Sequence, residues 1–236
     1  MSKDIKYIAE VSPQDMNALT NLNYQDLHCE IDFKNLLVKK PWGSEYLLFE
    51  NEFCAIWILD INYMENTSMH CHPKKETSLV CLNGDVSCNT LNNSNKINSL
   101  DGIFLGKKVF HQTQSISLEG SSILEIETPV NKFDLVRIND TYGRQGKEYE
   151  NRTNYKQVKD LTLDSTNNSS KIFNDTNVTI LTIESFDELK KYHEDSIIAI
   201  LSASGENGKI FRLKDMNKKL FISKTTIIII SENIDD

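Results

Sequence analysis

The chain lacks a surplus of basic residues, and that shortage removes whole classes of function. With 26 Lys and Arg against 34 Asp and Glu, its formal net charge is -8 and its pI is near 5.2. General binding to nucleic acid or to an anionic membrane needs a basic face that displaces counterions, so neither partner is expected. Cysteine is also sparse. Cys29, Cys54, Cys71, Cys81 and Cys88 are odd in number and none forms a C-x-x-C pair, so no disulfide framework or zinc knuckle is indicated. Free thiols in a reducing, cytoplasmic setting are the expectation. Long apolar runs are missing too: Phe53 to Leu59 is the longest and Ile227 to Ile230 is shorter still, both far too short for a bilayer, and the N-terminus has no apolar segment of the signal type. Triplets such as Asn66-Thr67-Ser68 and Asn151-Arg152-Thr153 therefore read as chance in an Asn-rich chain. No fixed-period repeat is visible.

What is present is the composition of a globular protein. The chain has 236 residues, 39% hydrophobic and 25% charged, with a mean hydropathy of -0.41, and is long enough to bury a core without staples. One helix is predicted from Ser12 to about Leu22, where Ser12 can cap, Pro13 suits the first turn, and Met16, Leu19 and Leu22 recur at helical spacing. From Pro41 the texture becomes short β-type runs (EYLLFE, FCAIWILDINY, TSLVCLNGDVSCNTL, GIFLG, VFHQTQSISL, SSILEIETP), the spacing of a sandwich or barrel. Asn83-Gly84 reads as a hairpin turn.

These textures divide the chain into a helical arm (1–38), an all-β barrel with a closing extension (39–150), a polar linker (151–177) and a C-terminal appendage (178–236). The barrel proper should span residues 35–130. The appendage offers VTILTI, a helix in SFDELKKYHED, and a last strand whose near-continuous Ile implies burial on both faces. It is expected to be a small mixed α/β unit or a degenerate half-barrel.

Three of the five histidines fall in two β-type segments, His70 and His72 in MHCHPKKE and His111 in VFHQT. Residues i and i+2 of a strand share a face, so His70 and His72 project together, while Glu76 returns across the pocket after the His-Pro-Lys-Lys bend. With His111 from a distant segment, three imidazoles and one carboxylate form a set that suits one divalent ion such as Zn, Fe, Mn, Co or Ni. Cys71, between the two histidines, should point away.

Other residues could serve such a site. Glu125 and Glu127 alternate with Leu124 and Ile126, so one strand face presents two carboxylates; facing inward they could move a proton, facing outward they are solvated surface. Lys74, Lys75, Lys107 and Lys108 could rim the mouth and attract a phosphate, or merely solubilise loops. Arg137, Arg144 and Lys147 could bind an anionic substrate or fasten the extension. Trp42 and Trp57 could pack in the barrel, and Trp42 beside Gly43 could stack on a sugar ring.

His70, His72 and Glu76 resemble the first motif of the cupin superfamily, G-x5-H-x-H-x3,4-E-x6-G, with Gly84 one residue late and Met64 in the leading glycine's place. His111 stands at the histidine of the second motif, where Gly106 occupies the usual proline position, Lys108 the second glycine and Ser115 the terminal Asn. Lys40-Pro41-Trp42-Gly43 with Glu45 is similar to the opening of barrels related to mannose-6-phosphate isomerase, and LEIETPVNKFDLVRINDTYGRQGKEYE to a tail of cupins from surface-polysaccharide gene clusters. The resemblance implies an RmlC-like jelly roll, one bound metal, a homodimer and a sugar, sugar-phosphate or nucleotide-sugar substrate. An isomerase or epimerase is the leading expectation. An iron-dependent oxygenase and a non-catalytic sugar-binding or regulatory cupin are the alternatives, since fold analogy alone does not choose among them.

Overall fold

The computed structural model describes residues 4–22, 31–143, 154–164, 168–202, 206–221 and 224–233. The architecture is all-β, a jelly roll made of two facing sheets with a third sheet laid over its back. In chain order the elements are β1 (Ile5–Ile8), α1 (Pro13–Thr20), β2 (Leu36–Lys40), β3 (Gly43–Glu50), β4 (Ala55–Ile61), β5 (Met69–Cys71), β6 (Glu76–Asn83), β7 (Val86–Thr90), β8 (Ser94–Ile97) and β9 (Gly102–Leu105). They continue with β10 (His111–Ser115), β11 (Ser121–Thr128), β12 (Val136–Asn139), β13 (Tyr155–Gln157), β14 (Ser169–Phe173), β15 (Thr176–Ile183), β16 (Ile197–Ile200), β17 (Ile210–Arg212) and β18 (Thr225–Glu232).

The large sheet runs β1-β9-β6-β11-β4-β3-β2-β13 and faces the smaller sheet β12-β5-β10-β7-β8. Side-chain alternation sorts each strand between two cores. On β4, Ala55, Trp57 and Leu59 point into the barrel while Ile56 and Ile58 point out; on β6, Leu79 and Cys81 point in while Val80 and Leu82 point out. The inward set meets Val86, Cys88 and Ile97 of the smaller sheet and closes one end of the barrel with apolar side chains.

Helix α1 starts as expected. Ser12 accepts from the Asp15 N–H and the Asp15 carboxylate accepts from the Ser12 N–H, a reciprocal cap. Ala18 and Leu19 then cover Cys71, Phe110 and Val136 on the outer face of the smaller sheet.

One expectation is corrected here and another sharpened. Asn83-Gly84 does not close a hairpin: β6 and β7 lie in different sheets, and the turn carries the chain from one to the other. Gly84 is needed there because φ is +75° and a Cβ would stand 2.7 Å from the Gly120 carbonyl oxygen. The helix expected in SFDELKKYHED is present as a two-turn 3-10 helix, Phe186–Lys191, rather than an α-helix. Ser185 and Glu188 cap its start, Leu189 is its one buried residue, and Tyr192 is already extended, so the helix ends after six residues.

The C-terminal residues form the antiparallel sheet β14-β15-β18-β16-β17, which shares a core with the barrel. Within the span read as a linker, β13 pairs with β2 and β14 with β15. The isoleucine run on β18 is buried on both faces, as the sequence implied. Ile228 and Ile230 pack with Ile56, Ile58, Leu124 and Ile126 of the barrel, whereas Ile227 and Ile229 pack with Leu189 and Leu213 on the far side. Hydrogen bonds stitch the layers: Ser78 Oγ donates to the Gly208 carbonyl at 2.7 Å, Asn51 Nδ2 to Leu201 at 2.6 Å and Thr176 Oγ1 to Leu82 at 2.7 Å. No helix among the described residues is long and apolar enough to cross a membrane.

A shared core predicts one cooperative unfolding transition. Ile228→Ala should destabilise barrel and C-terminal sheet together by about 2–5 kcal/mol, the range for deleting a fully buried isoleucine. Calorimetry showing two separated transitions, with only one moved, would refute the shared core.

Candidate metal centre and its charged surroundings

The site begins with strand alternation on β5. Cys71 faces outward under α1, as expected, so His70 and His72 face the barrel interior. His111, the first residue of β10, pairs directly with His70 across the ladder. The ring centroids of His70, His72 and His111 stand 4.5 to 5.4 Å apart, and one nitrogen from each lies within 4.8 Å of the others.

Backbone carbonyls orient all three rings. The Nδ1 of His70 lies 2.7 Å from the Ser68 oxygen, that of His72 2.6 Å from the Asp134 oxygen, and that of His111 3.0 Å from the Val109 oxygen. A carbonyl only accepts, so each Nδ1 carries the proton and each Nε2 presents a lone pair. The Nε2 atoms of His72 and His111 are buried without a hydrogen-bond partner. Burial depresses all three imidazoles, aided at His70 by His111 and at His72 by Lys75, and holds His111 down at about 4. They are neutral at pH 7, the form in which imidazole binds a metal. Carbonyl-anchored rings with exposed lone pairs are what a histidine-bound ion requires, so the residues fit the group the resemblance implies.

Surrounding loops pin this triad. Asp134 accepts from the Lys74 and Lys75 N–H groups at 2.8 and 2.9 Å through its carboxylate, and the Lys108 N–H donates to the His72 carbonyl at 2.8 Å. Asp15 of α1 accepts from the Phe110 N–H at 3.0 Å, which ties the arm to the residue preceding His111. Met64 and Lys108, which replace motif glycines, keep the glycine conformation with φ of +62° and +66°.

Beside the histidines lies a chamber of about 60 Å³, lined by Trp42, Glu45, Glu125, Lys132 and Arg137 among others. Glu125 and Glu127 both face inward, 6% and 2% exposed, and their carboxylates cluster with His72. Burial first, then repulsion from Glu127, raises Glu125 to about 7. Glu45 behaves oppositely. Its burial is outweighed by Lys132 at 3.4 Å and Lys40 at 3.3 Å, which hold it below the ordinary range. Lys132 also lies 3.7 Å from the Trp57 ring centroid and 4.0 Å from Glu125. Lys75 is wholly buried and donates to Glu127 Oε1 at 2.6 Å.

Not every expected residue joins the site. Glu76 is half-buried and falls in neither cluster of possible ligands, because it shares the outward face of β6 with Ser78 and Val80. Lys108 is exposed, does not line the chamber, and contributes through its backbone. Trp42 lines the chamber while packing in the barrel core, and Arg137 lines it while donating to Ser68 Oγ at 3.3 Å. Arg144 and Lys147 lie outside the described residues. Lys132, Asp134 and Asp15 escaped the sequence reading. Lys40 and Glu45 carried a signal, their place in the Lys-Pro-Trp-Gly segment.

No family model and no curated protein matches this chain. Among solved structures it is similar to an RmlC-like cupin from Shewanella frigidimarina, at 14% identity over 46% of this chain and 96% of that one with a TM-score of 0.38. It is similar also to a cupin-2 domain protein from Rhodospirillum rubrum, at 11% identity over 46% and 80% of the chains with a TM-score of 0.38. A third is the polyketide cyclase RemF from Streptomyces resistomycificus, at 9% identity over 49% and 88% with a TM-score of 0.40.

Two predictions follow from this geometry. Lys108→Gly should stabilise the fold by about 0.5–1 kcal/mol, since relief of a left-handed Lys exceeds the added entropy of unfolded Gly. An unchanged or lowered Tm would oppose this. Glu125, raised to about 7 in the fold from an ordinary 4.5, binds its proton more tightly when folded, so its contribution to stability falls as pH rises through that window. Urea unfolding in EDTA should therefore show Glu125→Gln gaining on the parent between pH 5 and pH 8; a constant difference would contradict the shift.

Proposed function

We propose that this protein is a metal-dependent isomerase or epimerase that moves a proton on a sugar, sugar phosphate or nucleotide sugar. The observation that carries the reading is the three neutral imidazoles, anchored through Nδ1 to backbone carbonyls and facing one interior point, with two buried carboxylates beside them. His70, His72 and His111 would hold the ion. Bound there, a divalent ion would supply Lewis acidity toward a carbonyl or hydroxyl oxygen.

The chain's own residues supply the rest. Glu125, brought near neutrality, can take a proton from one carbon and return it to the next, since an acid-base group works best with a pKa near the operating pH. Lys132, held by Glu45, fixes the charge on one side of Glu125, and the Trp57 ring shields that ammonium from solvent. Arg137 on the chamber wall offers a guanidinium to an anionic substituent, and Trp42 an apolar ring face. The sugar assignment rests on the resemblance of the sequence motifs and on this polar, charged lining.

Metal analysis of the purified protein beside His72→Ala tests the centre. The parent should retain about one divalent ion per chain and the variant should lose it, because the change leaves two imidazoles where a bound ion ordinarily keeps at least three protein ligands. Equal content in both would sink the proposal. A thermal-shift screen of sugar phosphates and nucleotide sugars then tests the substrate class, since a ligand selective for the native state raises its apparent stability.

A further inference from the structure

The residues around the histidines pose a puzzle of partners. Three buried atoms, His72 Nε2, His111 Nε2 and Glu127 Oε2, have no hydrogen-bond partner. Each is a lone-pair acceptor: the two imidazoles because their Nδ1 atoms carry the protons, the carboxylate by its nature. The Thr77 hydroxyl, opposite Glu127 on the ladder, is an unpartnered donor near them and bonds none of the three, so acceptors outnumber donors and the cluster suits a cation. A Glu127 oxygen lies within 4.8 Å of a His72 nitrogen, and the Glu127 charge acts on His111 as well.

The carboxylate that the sequence motif points to is on the wrong face. Along β6, Glu76, Ser78, Val80 and Leu82 look outward, where Ser78 bonds Gly208 and Val80 and Leu82 join the core shared with the C-terminal sheet. Lys75, one residue earlier, is the side chain that turns into the barrel, and it is wholly buried. Its ammonium takes Glu127 Oε1 and leaves Oε2 unpartnered, and its positive charge bears on His70, His72 and His111 alike.

We propose that Glu127 is the carboxylate ligand of the cation site and that Lys75 is its counter-ion in the ion-free protein, so that loading a divalent ion exchanges one positive partner of Glu127 for another. This rests on the metal reading above and adds to it which carboxylate ligates and what opposes loading. A lysine beside three histidines repels the incoming ion, while the carboxylate it holds attracts it; the pair therefore sets affinity from inside the barrel.

Zn²⁺ affinity measured by chelator competition tests this on the full chain. Glu127→Gln should weaken binding by more than about 10–100-fold, the loss that removing even a group supporting the ligands causes. Lys75→Met should tighten it by about tenfold through removal of a like charge, and Glu76→Gln should leave it unchanged. Because Lys75→Met leaves a buried carboxylate without its partner, the charge-balanced double variant Lys75→Met with Glu127→Gln guards against misfolding; it should bind like Glu127→Gln alone. Infrared difference spectra on adding Co²⁺ give a second readout: a shifted carboxylate band retained in Glu76→Gln and absent in Glu127→Gln. Loss of affinity in Glu76→Gln with none in Glu127→Gln, or weaker binding in Lys75→Met, would overturn the assignment while leaving the histidine centre intact. A parent that binds no Zn²⁺ would overturn both.

Discussion

The alternation of β11 is the constraint on which both halves of the molecule depend. This strand lies between β6 and β4 at the middle of the large sheet, and its successive side chains must point to opposite faces. Ile123, Glu125 and Glu127 enter the barrel, while Leu124 and Ile126 enter the core shared with the C-terminal sheet. A shift of one residue in its pairing would place two carboxylates in an apolar interlayer and two aliphatic side chains against the histidines. The strand is held in register on both sides by long antiparallel ladders, so the chemistry of the barrel mouth and the packing of the third layer are specified together.

That coupling explains how the barrel tolerates so much buried charge. Lys75, Lys132, Glu45, Glu125 and Glu127 all sit where water is scarce, and taking an ion from water costs several kcal/mol unless partners compensate. Here the ions compensate one another in two linked sets, Lys40–Glu45–Lys132–Glu125 and Lys75–Glu127. Such pairs organise a site more than they stabilise a fold. Stability must come from elsewhere, and the apolar end of the barrel together with the isoleucine-rich third layer supplies it.

Much of this was legible in the sequence because it rests on local periodicity. The i, i+2 spacing of His70 and His72, the capped start of α1, the outward turn of Cys71 and the doubly buried isoleucines of β18 each follow from one strand or one helix turn. What was not legible depends on pairing across the chain. Asn83-Gly84 has the residues of a hairpin, yet its flanking strands find partners in different sheets. Glu76 fits the spacing of a ligand, but whether position 75 or 76 turns inward depends on where β6 enters the sheet, a one-residue matter that spacing leaves open. Lys132 and Asp134 lie in the loop after β11, with no periodicity to mark them, and matter only because that loop folds back over the histidines.

The same logic accounts for the altered motif positions. Met64 and Lys108 stand where glycines would relieve a left-handed backbone, and both retain that backbone. The loop shape is therefore imposed by its contacts: Lys108 N–H to the His72 carbonyl, Met64 N–H to the Ser115 carbonyl at 3.0 Å. Each bond ties a strained residue to the strands that carry the histidines or support them. Strain of this kind persists only where surrounding structure over-determines the conformation, and the rigid positions of the imidazoles are what it secures. A site built from neutral rings and paired ions needs that rigidity, because the inward nitrogens of His72 and His111 have no hydrogen bonds of their own to hold them.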